Sequence, residues 1–444
     1  MTRTSHMTKD HQGTTHSNKH FRWLVPFRLL RWHRNLLLLP LFFCSGLHTT
    51  SLSGTEPTWN QWRGPDRDGF VVDTNWPDGL APDRLVKKWR VALGPSYSGP
   101  VLADDIVIIT ETRDERTEHV RGLDRETGEE RWHAEWEGAI SVPFFAASNG
   151  SWIRSTPCVD DGRVFIAGMR DVLVCLEVST GKELWRVDFV DDLESPLPAF
   201  GFVSSPLIIG DHLYVQAGSG FIKLDKATGQ IIWRVLDDGG GMSGSAFSSP
   251  FPTVIGGVQQ ILVQTRNDLA GVNPEDGSIL WKTGVEAFRG MNIVTPTVHN
   301  ENVFTSSYGG GSFLFAVDPS QQDNPVQQLW RNKVQGYMSS PIVIGNHAYI
   351  HLRNQRFACL NLETGEEAWV TTPFGRYWSM VAAGDQILAL DETGDLRLIH
   401  ATPEAYELIG EAKVAEQESW AHLAVEGREL YIRDLEGLTA YAWQ

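Results

Sequence analysis

The chain is poor in cysteine, poor in basic residues and nearly free of long apolar runs. It has four cysteines in 444 residues. Cys175 and Cys359 fall at one position of a repeat, where Ala316 sits in another copy, so they read as small buried packing residues. Cys158 falls in a first strand and Cys175 in a third, which a second strand separates, so no disulfide is expected. Lys and Arg number 38 against 55 Asp and Glu, for a net charge of −17. No basic face is visible, which excludes a nucleic-acid binder. There is no P-loop, no His-Glu-x-x-His, no Gly-x-Ser-x-Gly and no kinase motif set. Gly239, Gly241 and Gly244 formally match a dinucleotide fingerprint, yet no helix pattern follows them. His133, His299, His347 and His422 are scattered through the repeat, so no metal centre is expected. No catalytic residue is assigned.

What the chain has is a repeat. Asp124, Thr127, Gly128 and Trp132 recur as Glu177, Thr180, Gly181 and Trp185, and again as Asp225, Thr228, Gly229 and Trp233. Asn273, Gly277 and Trp281, then Asn361, Thr364, Gly365 and Trp369, keep the spacing. A longer turn separates Asp318 from Trp330. A second signature ends in Pro100, Pro157, Pro206, Pro250, Pro296 and Pro341, at intervals of 57, 49, 44, 46 and 45 residues. Each copy holds four short apolar runs separated by Asp, Asn and Gly turns, which tolerate the positive φ of hairpins. Two further copies, 379–414 and 420–443, are degraded, and the last lacks its fourth strand. Trp89-Arg-Val91 repeats Trp185-Arg-Val187 with no strands before it, so it completes that last copy. Four-stranded units of about 45 residues are propeller blades. Residues 85–444 therefore predict an all-β, eight-bladed propeller of antiparallel blades, closed by an N-terminal strand. The regular recurrence of Trp89, Trp132, Trp185, Trp233, Trp281, Trp330 and Trp369 assigns them to blade packing.

Two segments precede the blades. Residues 1–54 read as a signal peptide or leader: Arg22, Arg28, Arg31 and Arg34 precede the apolar run 36–47, and small residues follow. The expected location is secreted or periplasmic, with a lipoprotein form at Cys44 or an uncleaved anchor as alternatives. Membrane contact is expected only through an uncleaved leader. Residues 55–84 form a Trp-rich arm without strand pattern, expected to pack on the side or rim of the propeller.

The Asp-x-x-Thr-Gly-x-x-x-Trp repeat resembles the PQQ-like propeller family, which includes quinoprotein dehydrogenases and BamB-like envelope proteins. Trp59-Asn-Gln-Trp-Arg-Gly-Pro65 is similar to the N-terminus of secreted bacterial members. The resemblance implies a protein-interaction or ligand-binding scaffold, or alternatively a PQQ-dependent oxidoreductase. No adjacent cysteine pair, calcium ligand or catalytic Asp of the enzymes can be matched here. No cofactor is expected on the first reading; PQQ with Ca²⁺ belongs to the second. The expected partner is an envelope or extracellular protein or a small ligand, bound to a monomer.

One constellation carries the binding expectation. A large apolar residue precedes each first strand: Tyr97, Trp152, Phe202, Phe247, Met291, Tyr337, Trp378 and Trp420. The connections between blades place all eight at one mouth of the channel, with Arg154, Arg289 and Arg376 beside them. They form either a hydrophobic plug over the inner strands or a funnel-shaped recognition site, and the funnel reading expects Trp378 partly exposed.

Overall fold

The computed structural model describes residues 59–71, 76–321 and 323–444. The leader expectation lies outside them. Eight four-stranded antiparallel sheets form a β-propeller. Seven blades are sequential: 101–137, 158–188, 207–235, 251–284, 297–331, 342–370 and 379–413. The eighth combines three strands between 424 and 443 with Leu85–Ala92, which pairs antiparallel to Gly437–Trp443. Trp89 lies opposite Ala440, so the N-terminal strand closes the ring as the repeat predicts.

Strand chemistry follows position. Second and third strands such as Arg163–Gly168 and Val172–Glu177 are buried nearly throughout, because neighbouring blades cover both faces. Outer strands such as Glu130–Glu137 bury alternate residues and expose charged ones along their unpaired edge. Among the described residues no helix is long and apolar enough to cross a membrane.

Six of the seven repeat Trp residues lock their blade to the next. The Trp132 indole N–H donates to the Val178 carbonyl at 2.7 Å, and its ring lies where a Cβ on Gly181 would stand, 2.4 Å away. Trp185 bonds the Lys226 carbonyl over Gly229, and Trp330 bonds the Leu362 carbonyl over Gly365. Trp89 does the same to Arg125 over Gly128, so one contact type runs across the closure point. The turn glycine is thus required twice, for its positive φ and for the ring lying on it. Trp281 faces the blade with the longer 318–330 turn. It bonds Gln260 of its own blade instead, at 2.6 Å.

A second lock surrounds the channel. The backbone N–H of Thr156 donates to the Ser205 hydroxyl, that of Ser205 to Ser249, and that of Ser249 to Thr295. Gly99 donates likewise to Thr156, and Thr295 to Ser340. This is the work of the hydroxyl residue before five of the six signature prolines; Gly99 before Pro100 only donates.

The arm departs from expectation. It packs inside the channel, not on the side or rim. Asn60 and Trp59 carbonyls accept from Val159 and Leu102 of the inner strands, Phe70 bridges Ala382 in parallel, and the Trp59 N–H donates to Glu426. Arg63 donates to the Pro341 carbonyl at 2.6 Å, and Arg67 to Pro206 and Ser205 carbonyls at 2.7 and 3.1 Å. The inner ends of eight twisted sheets present carbonyls that need donors, and two buried guanidinium groups supply them.

Candidate functional site

Strand direction decides which loops share the open end. Connections from an outer strand to the next inner strand reach one face, and the hairpins between second and third strands return to it. Together they surround an axial cavity of about 350 Å³. Its floor is Trp62 of the arm, with the Arg63 and Arg67 guanidinium groups each 5.6 Å from the Trp62 ring.

The wall is aromatic. Tyr97 stacks on Trp420 at 4.6 Å and 14°, and Tyr377 tilts against Trp420 at 4.4 Å. Tyr377 meets Tyr337, which meets Tyr308. On the other side Phe145, Phe200 and Phe247 meet edge to face, and Arg266 lies 5.2 Å from the Phe247 ring. Hydroxyls of Thr156, Ser205, Ser249, Ser340 and Ser379 complete the lining, with His422. Burial holds His422 neutral, with its pKa lowered to about 3, and nearby Arg63 adds to that shift.

The candidate residues sort into three groups. Tyr97, Arg154, Phe247, Met291, Tyr337, Trp378 and Trp420 line the cavity. Trp152 stands behind Tyr97 at 5.3 Å, while Arg289 and Arg376 line a cleft next to the cavity with Tyr308 and Arg353. Phe202 is not at the mouth: at 2% exposure it packs against Phe189 between the second and third blades. Trp378 also differs from the funnel expectation. It is 2% exposed, stacked on His351 at 4.6 Å and packed against Phe357 and Phe374. The plug and the funnel are both present, in different residues.

Trp62, Phe145, Phe200, Arg266, Tyr377 and His422 escaped sequence reasoning. Phe200 and Tyr377 are near neighbours of Phe202 and Trp378, and a positive φ at Tyr377 turns it out while Trp378 turns in. Arg266 comes from the hairpin between the second and third strands of its blade, and topology alone assigns such hairpins to the mouth.

The electrostatics are one-sided. None of the lining residues is Asp or Glu. Arg63, Arg67, Arg154 and Arg266 make no ion pair within 4.0 Å among the described residues. Burial lowers the pKa of Arg154, and brings Arg63 to about 10 and Arg67 to about 9; a guanidinium keeps its proton in proteins. Arg266 Nη1 and Trp420 Nε1 are buried donors without a protein acceptor. A calcium-bound quinone needs carboxylate ligands, and this lining offers none. Nor do the described residues hold any group of three His, Cys, Asp or Glu placed to bind a metal.

Comparison with known proteins agrees with the architecture. A family profile described as outer membrane protein assembly factor BamB matches residues 116–371, more than half of the chain. An outer membrane protein assembly factor BamB of Moranella endobia is 26% identical over 271 residues, covering 56% of this chain and 66% of its own. The chain spans less than two thirds of the length of three BamB relatives it matches, 62–66%, and less than half of others. Among solved structures, BamB from Moraxella catarrhalis has a TM-score of 0.58 at 17% identity, covering 81% of this chain and 98% of its own. A europium-containing methanol dehydrogenase has 0.60 at 12%, covering 86% and 91%. At those identities the structures show the fold alone. The profile match over the blades shows more: the chain belongs to the PQQ-like propeller family described as outer membrane protein assembly factor BamB.

Proposed function

We propose that this protein is a periplasmic or secreted interaction scaffold that receives a protein partner at the funnel mouth. The observation that carries this is Phe144, 91% exposed beside Phe145 at 49%, in an insert between the first and second blades. Met242 and Phe288, in two other mouth inserts, are 51% and 48% exposed. Apolar side chains held in water on a rigid ring favour protein contact. The relatives named as outer membrane protein assembly factors supply the setting: a role in assembling envelope proteins. The test is photocross-linking from position 144 in the native envelope, with position 232 on an outer strand as control. Adducts to one envelope assembly protein from 144 and none from 232 are expected. Equal labelling from both sites overturns the reading.

A PQQ-dependent oxidoreductase remains the second reading, favoured by the dehydrogenase fold match and the aromatic funnel. The carboxylate-free lining weighs against it. Incubation with PQQ and Ca²⁺, then gel filtration and absorbance, decides: retained quinone with dye-linked turnover establishes it.

A further inference from the structure

The axis of the molecule concentrates positive charge that the protein itself leaves unneutralised. Arg63 and Arg67 lie under the floor, and Arg154 and Arg266 lie in the wall. Asp68 is felt by Arg63, and Asp238 by Arg266, but neither carboxylate comes within 4.0 Å. Elsewhere many cations are paired, as Arg125 is with Glu426 and Glu429 and Arg397 with Asp391 and Glu411, although Arg163, Arg356 and Arg433 also lack an ion pair within 4.0 Å among the described residues. At the axis four such arginines gather around one cavity, and low-dielectric walls focus their field toward the opening.

The donor inventory points the same way. Each ring hydroxyl already accepts a backbone N–H, which leaves its own O–H to donate and one lone pair. Trp420 and Arg266 add unpaired N–H groups. Tyr97 spends its hydroxyl on the Asn149 carbonyl at 2.7 Å and presents ring surface. A lining of donors and aromatic faces calls for an occupant with acceptors and an apolar ring. The adjoining cleft extends the pattern with Arg289, Arg353 and Arg376, although Glu392 pairs with Arg376 and Glu418 stands near it. Phe145 lines both spaces, which makes them one continuous track from the exposed loop aromatics to the axis.

We infer that the funnel seats an extended segment of the partner protein carrying aspartate or glutamate beside an aromatic residue, with a carboxylate bound at Arg154 and Arg266. The inference deepens the scaffold reading and rests on it. A protein segment, not a free small acid, is the occupant because the track runs outward over exposed loop surface where a small molecule makes no contact.

The test uses the purified chain and three peptides, acetyl-GDFDG-amide, acetyl-GNFNG-amide and acetyl-GKFKG-amide, with 2-naphthoate as the small-acid arm. Binding is read by calorimetry and by the fluorescence of Trp62 and Trp420. The acidic peptide is expected to bind at least about tenfold tighter than the asparagine peptide, with affinity falling as salt rises. Arg154→Ala and Arg266→Ala are each expected to weaken it about tenfold. Arg266→Glu, with an unchanged melting curve as the folding check, should shift preference toward the lysine peptide. Equal binding of acidic and asparagine peptides, no binding of any peptide, or binding of 2-naphthoate alone each overturns the inference. Because no native partner is present, such a failure leaves the cross-linking result at position 144 standing. Loss of that cross-link with peptide binding intact sinks the scaffold reading instead.

Discussion

Below the cavity floor, Arg67 is wholly buried and gives three hydrogen bonds, to the Gln61 side chain and the Pro206 and Ser205 carbonyls. At the mouth, Arg266 is half-buried, gives one bond to the Arg289 carbonyl and leaves Nη1 unpaired. The two residues share a chemistry and an axis. One is consumed in tying the arm to the inner strands, and the other is held open. Arg67 also leaves its Nε unpaired, so the difference lies in the terminal nitrogens: both of Arg67's bond the protein, whereas Arg266 Nη1 has no protein acceptor. The contrast separates the structural end of the channel from the end proposed to receive a partner.

The comparison breaks entirely if the ring opens. Deleting Leu85–Ala92 strips the eighth blade of its outer strand and removes the Trp89 lock onto Gly128. The truncated chain is expected to aggregate, measured by light scattering; a monomer with an unchanged melt would refute closure.

Trp378 tests where the structural region ends. It lines the cavity by position but is packed on His351, Phe357 and Phe374. Trp378→Ala should lose about 3–5 kcal/mol in chemical denaturation, as a buried aromatic does. A loss within about 1 kcal/mol would place it with the exposed wall.

Two buried carboxyls on mouth-side hairpins add a pH signature. Burial pushes Glu118 up to about 7, although it accepts from Trp136 and Met169, and pushes Asp171 up to about 7. Both values lie above the ordinary 4.5 and 3.8. Between these limits the folded state holds protons that the unfolded state has released. Stability therefore falls as pH rises from about 4 to 7, by at most about 1.4 kcal/mol per pH unit for each group. Glu118→Gln should flatten part of that slope in melts across the window; an identical slope would contradict it.

The smallest stability effect belongs to the exposed loop. Phe144→Ser should change unfolding free energy by less than about 0.5 kcal/mol while abolishing partner cross-linking from a photoreactive group placed at position 242. A large loss of stability would make that loop structural.

The blades and their closure were legible because each copy repeats the same physical need. Asp124 caps its turn, Gly128 takes a positive φ and Trp132 covers the next turn, so spacing alone reveals them. The mouth was half legible. Tyr97, Phe247 and Trp420 obey the repeat register, but Phe200 and Tyr377 depend on local φ values that no periodicity encodes. The arm was misplaced because it makes no strand pairing beyond one bridge. Its address is written in two arginines reaching for carbonyls distant in the chain.

The most direct measurement is a matched pair of denaturation curves for Arg67→Ala and Arg266→Ala. Removing Arg67 strands the Ser205 and Pro206 carbonyls and should cost at least about 3 kcal/mol, whereas Arg266→Ala should stay within about 1 kcal/mol of the parent. Equal losses from the two substitutions would contradict the division of the channel into a structural end and a recognition end.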